Sequence, residues 1–212
     1  TGSDPTYDIS LTGPTEQEMP GIVAWADSDL DVKLTATRIP NDGLIFLAAK
    51  VTEIAGGMYH YEYAMQNLNS HRGVQEFRVP ILPESVVANL GFHDVDYHSG
   101  EPYDGTDWPG TVDTEVLPNQ IHWKTDAYSL NPNANALRWG TLYNFRFDAD
   151  APPGQVAARL DLHRPGTPED VSAMILGPAE AGDCGGGFTL GLSQTAVVRG
   201  QTTEYTASGA VP

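Results

Sequence analysis

The loop between residues 93 and 108 concentrates the side chains of this sequence that could do chemistry. Calcium takes six to eight oxygen ligands from carboxylates, carbonyls and water, and an acidic, turn-rich loop can supply them. We favour a purely structural loop over a calcium site, and a calcium site over a catalytic or sugar-binding one. The carboxylates that would bind calcium are Asp94, Asp96, Glu101, Asp104 and Asp107.

The spacing of these carboxylates departs from the EF-hand calcium loop. Asp94 and Asp96 fit the first and third ligand positions of that loop. Ser99 stands where the invariant glycine belongs, and Gly105 stands where the bidentate glutamate belongs. A calcium site here would therefore be irregular.

Other chemistry has weaker support in the sequence. His93, Asp96 and His98 could bind a transition metal, but no His-Glu-x-x-His motif is present. Two carboxylates of the loop could hydrolyse a glycosidic bond, but their separation decides the mechanism and sequence does not supply it. No nucleophile elbow, P-loop or Rossmann fingerprint occurs. We therefore predict that the protein is not an enzyme, with a secreted hydrolase as the least favoured alternative.

Aromatic side chains offer a second kind of candidate site. Tyr59, Tyr61 and Tyr63 share one face of a segment with strand-like alternation. Packing in the core is the favoured interpretation, and an exposed platform for sugars or a partner chain is the alternative. Trp108 lies in a Thr-Asp-Trp-Pro-Gly loop and is the best candidate for an exposed ligand contact. Trp139, on the apolar face of a predicted strand, is expected in the core.

Composition narrows the class of protein. The 212 residues carry a formal net charge of −17, which disfavours a nucleic-acid partner because phosphate backbones would be repelled. Cys184 is the single cysteine, so no intrachain disulfide can form. No stretch approaches the roughly 20 apolar residues that would span a bilayer.

The distribution of apolar residues predicts an all-β protein. Short strands alternate with turn signals, and no window shows helical periodicity with caps. Prolines 80 and 83 indicate that the fourth strand either lies at a sheet edge or ends there. An ordered turn loop is expected over 131–136. The predicted strands are 31–39, 44–52, 58–67, 77–81, 86–92, 121–124, 137–148, 156–162 and 171–176.

We therefore predict an Ig-like antiparallel β-sandwich with an N-terminal arm and a C-terminal β-strand extension. The expected divisions are an arm over 1–19, a body over 20–178, a Gly-rich linker over 179–187 and the extension over 188–212. Two strands alone are at best marginally stable, so the extension must pack on the body, pair with another chain or belong to a further module. Its candidate assembly residues are Phe188, Leu190, Leu192, Val197 and Tyr205.

Three segments of the body, 59–64, 91–103 and 131–147, carry a resemblance to a known family. They are similar to an uncharacterised secreted β-sandwich domain of planctomycete-type bacterial proteins. The segment 199–206 resembles the opening of Ig-like modules in multidomain secreted proteins. The resemblance implies an extracellular or cell-surface location and no catalytic residues.

The favoured function is that of a structural subunit of an extracellular surface or filament-like assembly. Its extension would add strands to the open sheet edge of a neighbouring copy. The alternative is a carbohydrate- or calcium-binding module of a larger secreted protein.

Overall fold

The computed structural model describes residues 17–95 and 100–180 of the chain. Within these residues the elements are α1 (Gly21–Ser28), β1 (Lys33–Arg38), β2 (Leu44–Ile54), β3 (Met58–Asn67), β4 (Val74–Pro80), β5 (Val87–His93), β6 (Gly110–Asp113), β7 (Gln120–Lys124), β8 (Leu142–Ala149), β9 (Pro153–Leu162) and β10 (Asp170–Pro178). No helix among them is long and apolar enough to cross a membrane.

The strands form two antiparallel sheets of five strands each. Sheet A has the order β1-β2-β3-β8-β5, and sheet B has the order β10-β9-β4-β7-β6. Neighbouring strands run in opposite directions, so the connections that follow the odd-numbered strands meet at one end of the molecule. We call this end, formed by residues 39–43, 68–73, 94–109, 125–141 and 163–169 without the undescribed 96–99, the loop end. The predicted all-β sandwich is confirmed.

Aromatic side chains fill the space between the sheets. Phe145 of sheet A lies with its ring centroid 5.0 Å from Phe77 and 5.4 Å from Trp123, both of sheet B. All three side chains are at most 1% exposed. Aromatic pairs at these distances add about 0.5–1.5 kcal/mol each beyond the area that they bury. This shared core joins the two sheets and fixes where their loops emerge.

A short helix covers the outer face of sheet A. Ile22 of α1 packs with Val32, Ala48 and Ala64, which lie on the outer side of sheet A or just before it. The sequence did not predict this helix because eight residues are too few to show a periodic apolar face. Its stability comes from packing on the sheet, as is usual for helices this short.

The structure decides between two interpretations of one strand and corrects the start of another. Strand β4, predicted either to lie at an edge or to end at its prolines, lies between β9 and β7, so only the second alternative is confirmed. Its proline, Pro80, is the last residue of the strand, where the missing N–H costs the ladder little. Strand β8 begins at Leu142, five residues later than predicted, because residues 138–141 form a turn. The sequence also did not predict β6.

Both ends of the chain lie largely outside the described residues. The arm is described only from residue 17, and residues 181–212 are not described. The predicted arm, linker and C-terminal extension therefore stay predictions.

Candidate functional site at the loop end

The acidic loop after β5 is docked on the asparagine-rich loop before β8. Asn135, which is fully buried, donates through Nδ2 to a carboxylate oxygen of Asp94 and to the carbonyl of Thr106, the latter at 3.0 Å. Asn131 donates through Nδ2 to Oδ2 of Asp104 at 2.7 Å. The predicted ordered loop over 131–136 is confirmed, and its amides hold two of the candidate calcium carboxylates.

The remaining candidate calcium ligands are not brought together by the described residues. Glu101 and Asp107 are exposed, and Asp96 is not described. In the described ranges, no group of three or more His, Cys, Asp or Glu side chains is arranged to hold a metal ion. The structure does not describe the predicted transition-metal site completely either, because two of its three ligands, Asp96 and His98, lie outside those ranges. Both metal sites stay predictions.

The face formed by Tyr59, Tyr61 and Tyr63 packs in the core. The alternative prediction, an exposed platform formed by these tyrosines, is therefore wrong. Tyr61 and Tyr63 are at most 1% exposed, and Tyr59 is half-buried and packs against the core. The Tyr61 hydroxyl donates to the carbonyl of Ala151 at 2.7 Å, and that of Tyr63 to the carbonyl of Leu176 at 3.0 Å. Burial raises the pKa of both phenols well above the usual value. The favoured core interpretation is confirmed.

Trp108 is also buried, which corrects its prediction as an exposed ligand contact. Its side chain is 1% exposed, and its ring stacks on Phe92 at 5.7 Å. Its indole Nε1 donates to the carbonyl of Asn135 at 2.5 Å. Trp108 therefore pins the acidic loop to the body and is not available to a ligand.

The prediction for Trp139 is wrong in the opposite sense. This side chain, predicted to lie in the core, is 74% exposed. It occupies a turn in which Thr141 N–H donates to the carbonyl of Arg138 at 3.1 Å. Gly140 adopts a φ of +78°, which glycine tolerates and other residues rarely adopt. The Gly140 N–H donates to the carbonyl of Asn67 on β3 at 2.8 Å. The turn is thus bonded to sheet A and presents the indole to solvent.

The first residue of this turn is a buried arginine, whose side chain contacts the neighbouring loops. Arg138 is 8% exposed, and its guanidinium lies 4.1 Å from the ring centre of Tyr103. Its Nη2 donates to the carbonyls of Pro132 at 3.0 Å and Ala134 at 2.9 Å, and lies 3.2 Å from His163 Nε2. Burial, followed by the charge of Arg138, lowers the pKa of His163 to about 4. Sequence reasoning missed both residues because neither belongs to a local motif.

A pocket of about 340 Å³ opens beside His163. It lies between the loop after β9 and the first residues of the loop after β7. Such a volume is at the small end of the range for ligand pockets. Its polar lining residues are Arg72, Gln75, Tyr128, Ser129, Arg159, Asp161, His163, Arg164 and Glu169.

One pair of carboxylates lies close together on the outer face of sheet B. Arg78 Nη2 donates to Glu76 and to Asp161, each at 2.7 Å. Burial opposes ionisation of Glu76, but hydrogen bonds from Arg78 and His122 outweigh it and lower its pKa. Burial raises the pKa of Asp161 despite the nearby Arg78. The shared arginine is typical of a structural ion-pair network, and the hydrolase alternative gains no support from it.

Comparisons with protein-family models, curated proteins and solved structures find no match for this chain. The resemblance to a secreted planctomycete-type domain therefore stays a prediction. The candidate assembly residues at positions 188, 190, 192, 197 and 205 lie outside the described residues. Function is inferred below from the geometry of the loop end.

Proposed function

We propose that the protein is a non-catalytic module of an extracellular protein and that its loop end binds a carbohydrate chain through Trp139. One observation carries the proposal. Among the described residues, Trp139 is the one aromatic residue whose side chain is largely exposed to solvent. Every other described phenylalanine, tyrosine and tryptophan is buried or half-buried. Within residues 17–95 and 100–180, the one fully open aromatic face therefore lies on a turn at the loop end.

The turn reduces the conformational entropy that is lost when Trp139 binds a ligand. Hydrogen bonds from Gly140 to Asn67 and from Thr141 to Arg138 fix the backbone on both sides of the indole. A tryptophan side chain has only two rotatable χ angles, so little further entropy is lost when it contacts a ligand. A rigid, exposed tryptophan is a typical anchor residue in binding sites.

The surroundings favour a carbohydrate over other ligands. The indole combines a broad apolar face with an N–H donor, which suits the apolar face and the hydroxyl groups of a sugar ring. The pocket at the same end is lined by amide, hydroxyl and guanidinium groups. A net charge of −17 disfavours nucleic acid.

Binding to polysaccharides tests this function directly. We expect the purified chain to be retained by at least one of cellulose, chitin, xylan or pectin. Trp139→Ala should weaken that binding by roughly tenfold or more, since truncating an anchor residue costs about 2 kcal/mol. Affinity electrophoresis in each polysaccharide measures the change.

The matched control is Leu130→Ala, because Leu130 is also at the loop end and is 79% exposed. We expect this variant to bind as the original chain does. Failure to bind any of the four polysaccharides, or equal binding by Trp139→Ala, would contradict the proposal.

A second candidate function is assembly by strand addition. Strand β6 is the last strand of sheet B and pairs only with β7 among the described strands. Its first three residues are exposed, so its outer edge offers unpaired N–H and C=O groups to another strand. The segments 188–193 and 195–205, which the sequence predicts as strands, are the proposed donors.

Size measurement with and without the extension tests the assembly function. We expect the full chain to form oligomers that disappear when residues 181–212 are removed. Val112→Pro removes a backbone N–H from β6 and should have the same effect if β6 is the acceptor edge. A monomeric full chain at all concentrations would contradict strand addition and leave carbohydrate binding unaffected.

A further inference from the structure

We infer that the pocket beside His163 binds the carboxylate of an acidic sugar, with Arg164 as the residue that recognises the charge. This inference rests on the proposed carbohydrate-binding function and names the class of sugar. The pocket is at the same end of the sandwich as Trp139, so a polysaccharide could contact both.

Arg164 has the features of an unused anion-binding group. Its Nε is buried and has no hydrogen-bond partner. Its guanidinium lies 5.8 Å from the ring centre of Tyr128, which also lines the pocket. No ion pair with Arg164 occurs among the residues described. Arg164 lines the pocket, and the planar fork of a guanidinium matches the two oxygens of a carboxylate.

The wall that carries Arg164 is held in place by a second arginine. Arg72 donates through Nε to the carbonyl of Arg164 at 2.9 Å and through Nη2 to that of Gly166 at 3.1 Å. It also donates to the carbonyl of Pro168. These hydrogen bonds leave the positive charge of Arg72 in place, because backbone carbonyls carry no net charge. Arg72 therefore both orders the loop after β9 and adds positive potential to the pocket.

The charges around the pocket leave an excess of cations. Three arginines (Arg72, Arg159 and Arg164) and two carboxylates (Asp161 and Glu169) line it, so the cations exceed the carboxylates by one. Asp161 is paired with Arg78 and Arg159, whereas Glu169 is exposed and forms no ion pair among the described residues. Arg138, on the far side of His163, has carbonyl and aromatic partners, and no carboxylate of the described part of the chain forms an ion pair with it. The low pKa of His163 agrees with this excess, since burial and two neighbouring arginines disfavour a further positive charge. This local excess favours an anionic group at the pocket, whereas the net charge of −17 opposes anion binding elsewhere on the chain.

Uncharged groups of the pocket suit the rest of a sugar unit. Gln75 supplies an amide, and Ser129 and Tyr128 supply hydroxyl groups. Gln75 Oε1 lies 3.3 Å from His163 Nδ1, which leaves its amide donors to the ligand. A pocket of about 340 Å³ fits a single unit of a chain better than a long segment.

The experiment compares a trisaccharide of galacturonic acid, the matching neutral galactose trisaccharide and acetate, each titrated into the full chain by calorimetry. We expect the acidic trisaccharide to bind roughly tenfold or more tightly than the neutral one, because hydrogen bonds between charged groups are stronger than those between neutral groups. Arg164→Gln should reduce acidic binding to the level of the neutral sugar. Arg164→Lys should restore part of it, since the charge returns without the planar fork.

Arg146→Gln is the matched control, because Arg146 lies on β8 and outside this pocket. Equal affinity for the two trisaccharides, or acidic binding unchanged by Arg164→Gln, would overturn the inference. Acetate binding as tight as the acidic trisaccharide would also overturn it, since a bare carboxylate would then suffice. Trp139→Ala separates the two proposals: loss of neutral binding with it supports the proposed function whatever happens at Arg164.

Discussion

Replacing Trp108 with alanine is expected to lower the free energy of unfolding by about 3–5 kcal/mol. The indole is 1% exposed and contacts the rings of Phe92, Tyr143 and Phe145, each with centroids 5.7 Å away. Alanine would leave a cavity beneath the acidic loop and remove the bond from Nε1 to the carbonyl of Asn135. Urea unfolding followed by circular dichroism measures the loss.

The matched variant Trp108→Phe separates packing from hydrogen bonding. It keeps most of the ring contacts and loses the indole N–H, so we expect a smaller loss of about 1–3 kcal/mol from the unsatisfied carbonyl and the reduced volume. A loss below 1 kcal/mol for Trp108→Ala would show that the acidic loop is not anchored by this residue. Trp139→Ala, which removes an exposed indole, should change the free energy of unfolding by no more than about 0.5 kcal/mol.

The second large effect is a dependence of stability on pH that originates at His163. Its pKa is about 4 in the folded chain against 6.5 for an unperturbed histidine, so between these pH values the unfolded chain binds a proton that the folded chain does not. The free energy of unfolding therefore falls as the pH is lowered from about 7 towards 4. At about 1.4 kcal/mol per unit, the histidine accounts for a loss of about 3 kcal/mol over this window.

The difference between the original chain and His163→Gln isolates this contribution, because the carboxylates titrate equally in both. We expect the free energy of unfolding of the variant, minus that of the original chain, to increase by about 3 kcal/mol from pH 7 to pH 4. Chemical unfolding at half-unit intervals of pH measures it. A pH-independent difference would mean that His163 binds its proton as readily in the folded chain as in the unfolded chain, and the positive potential inferred around Arg138 and Arg164 would then be wrong.

The two tryptophans show why local pattern and final environment differ. The alternation of apolar residues runs unbroken through Trp139, yet Gly140 turns the chain there because its N–H reaches the carbonyl of Asn67 on another strand. Trp108 sits in a loop with Pro109, as exposed residues often do. Its burial depends on Asn135, which is 27 residues away in the sequence. Neither partner is visible in a window of neighbouring residues.

By itself the sequence determined the class of the fold and most of the strands. Strand β3, Met58–Asn67, has the bounds that alternation predicts, because period-two burial is a local property of each strand. Only the tertiary structure decided which strands are central, where α1 packs and which aromatics stay open. It also decided that Arg72, Arg138, His163 and Arg164, from three separate stretches of chain, meet at the loop end. Those outcomes depend on contacts between distant residues, whose energies no local pattern encodes.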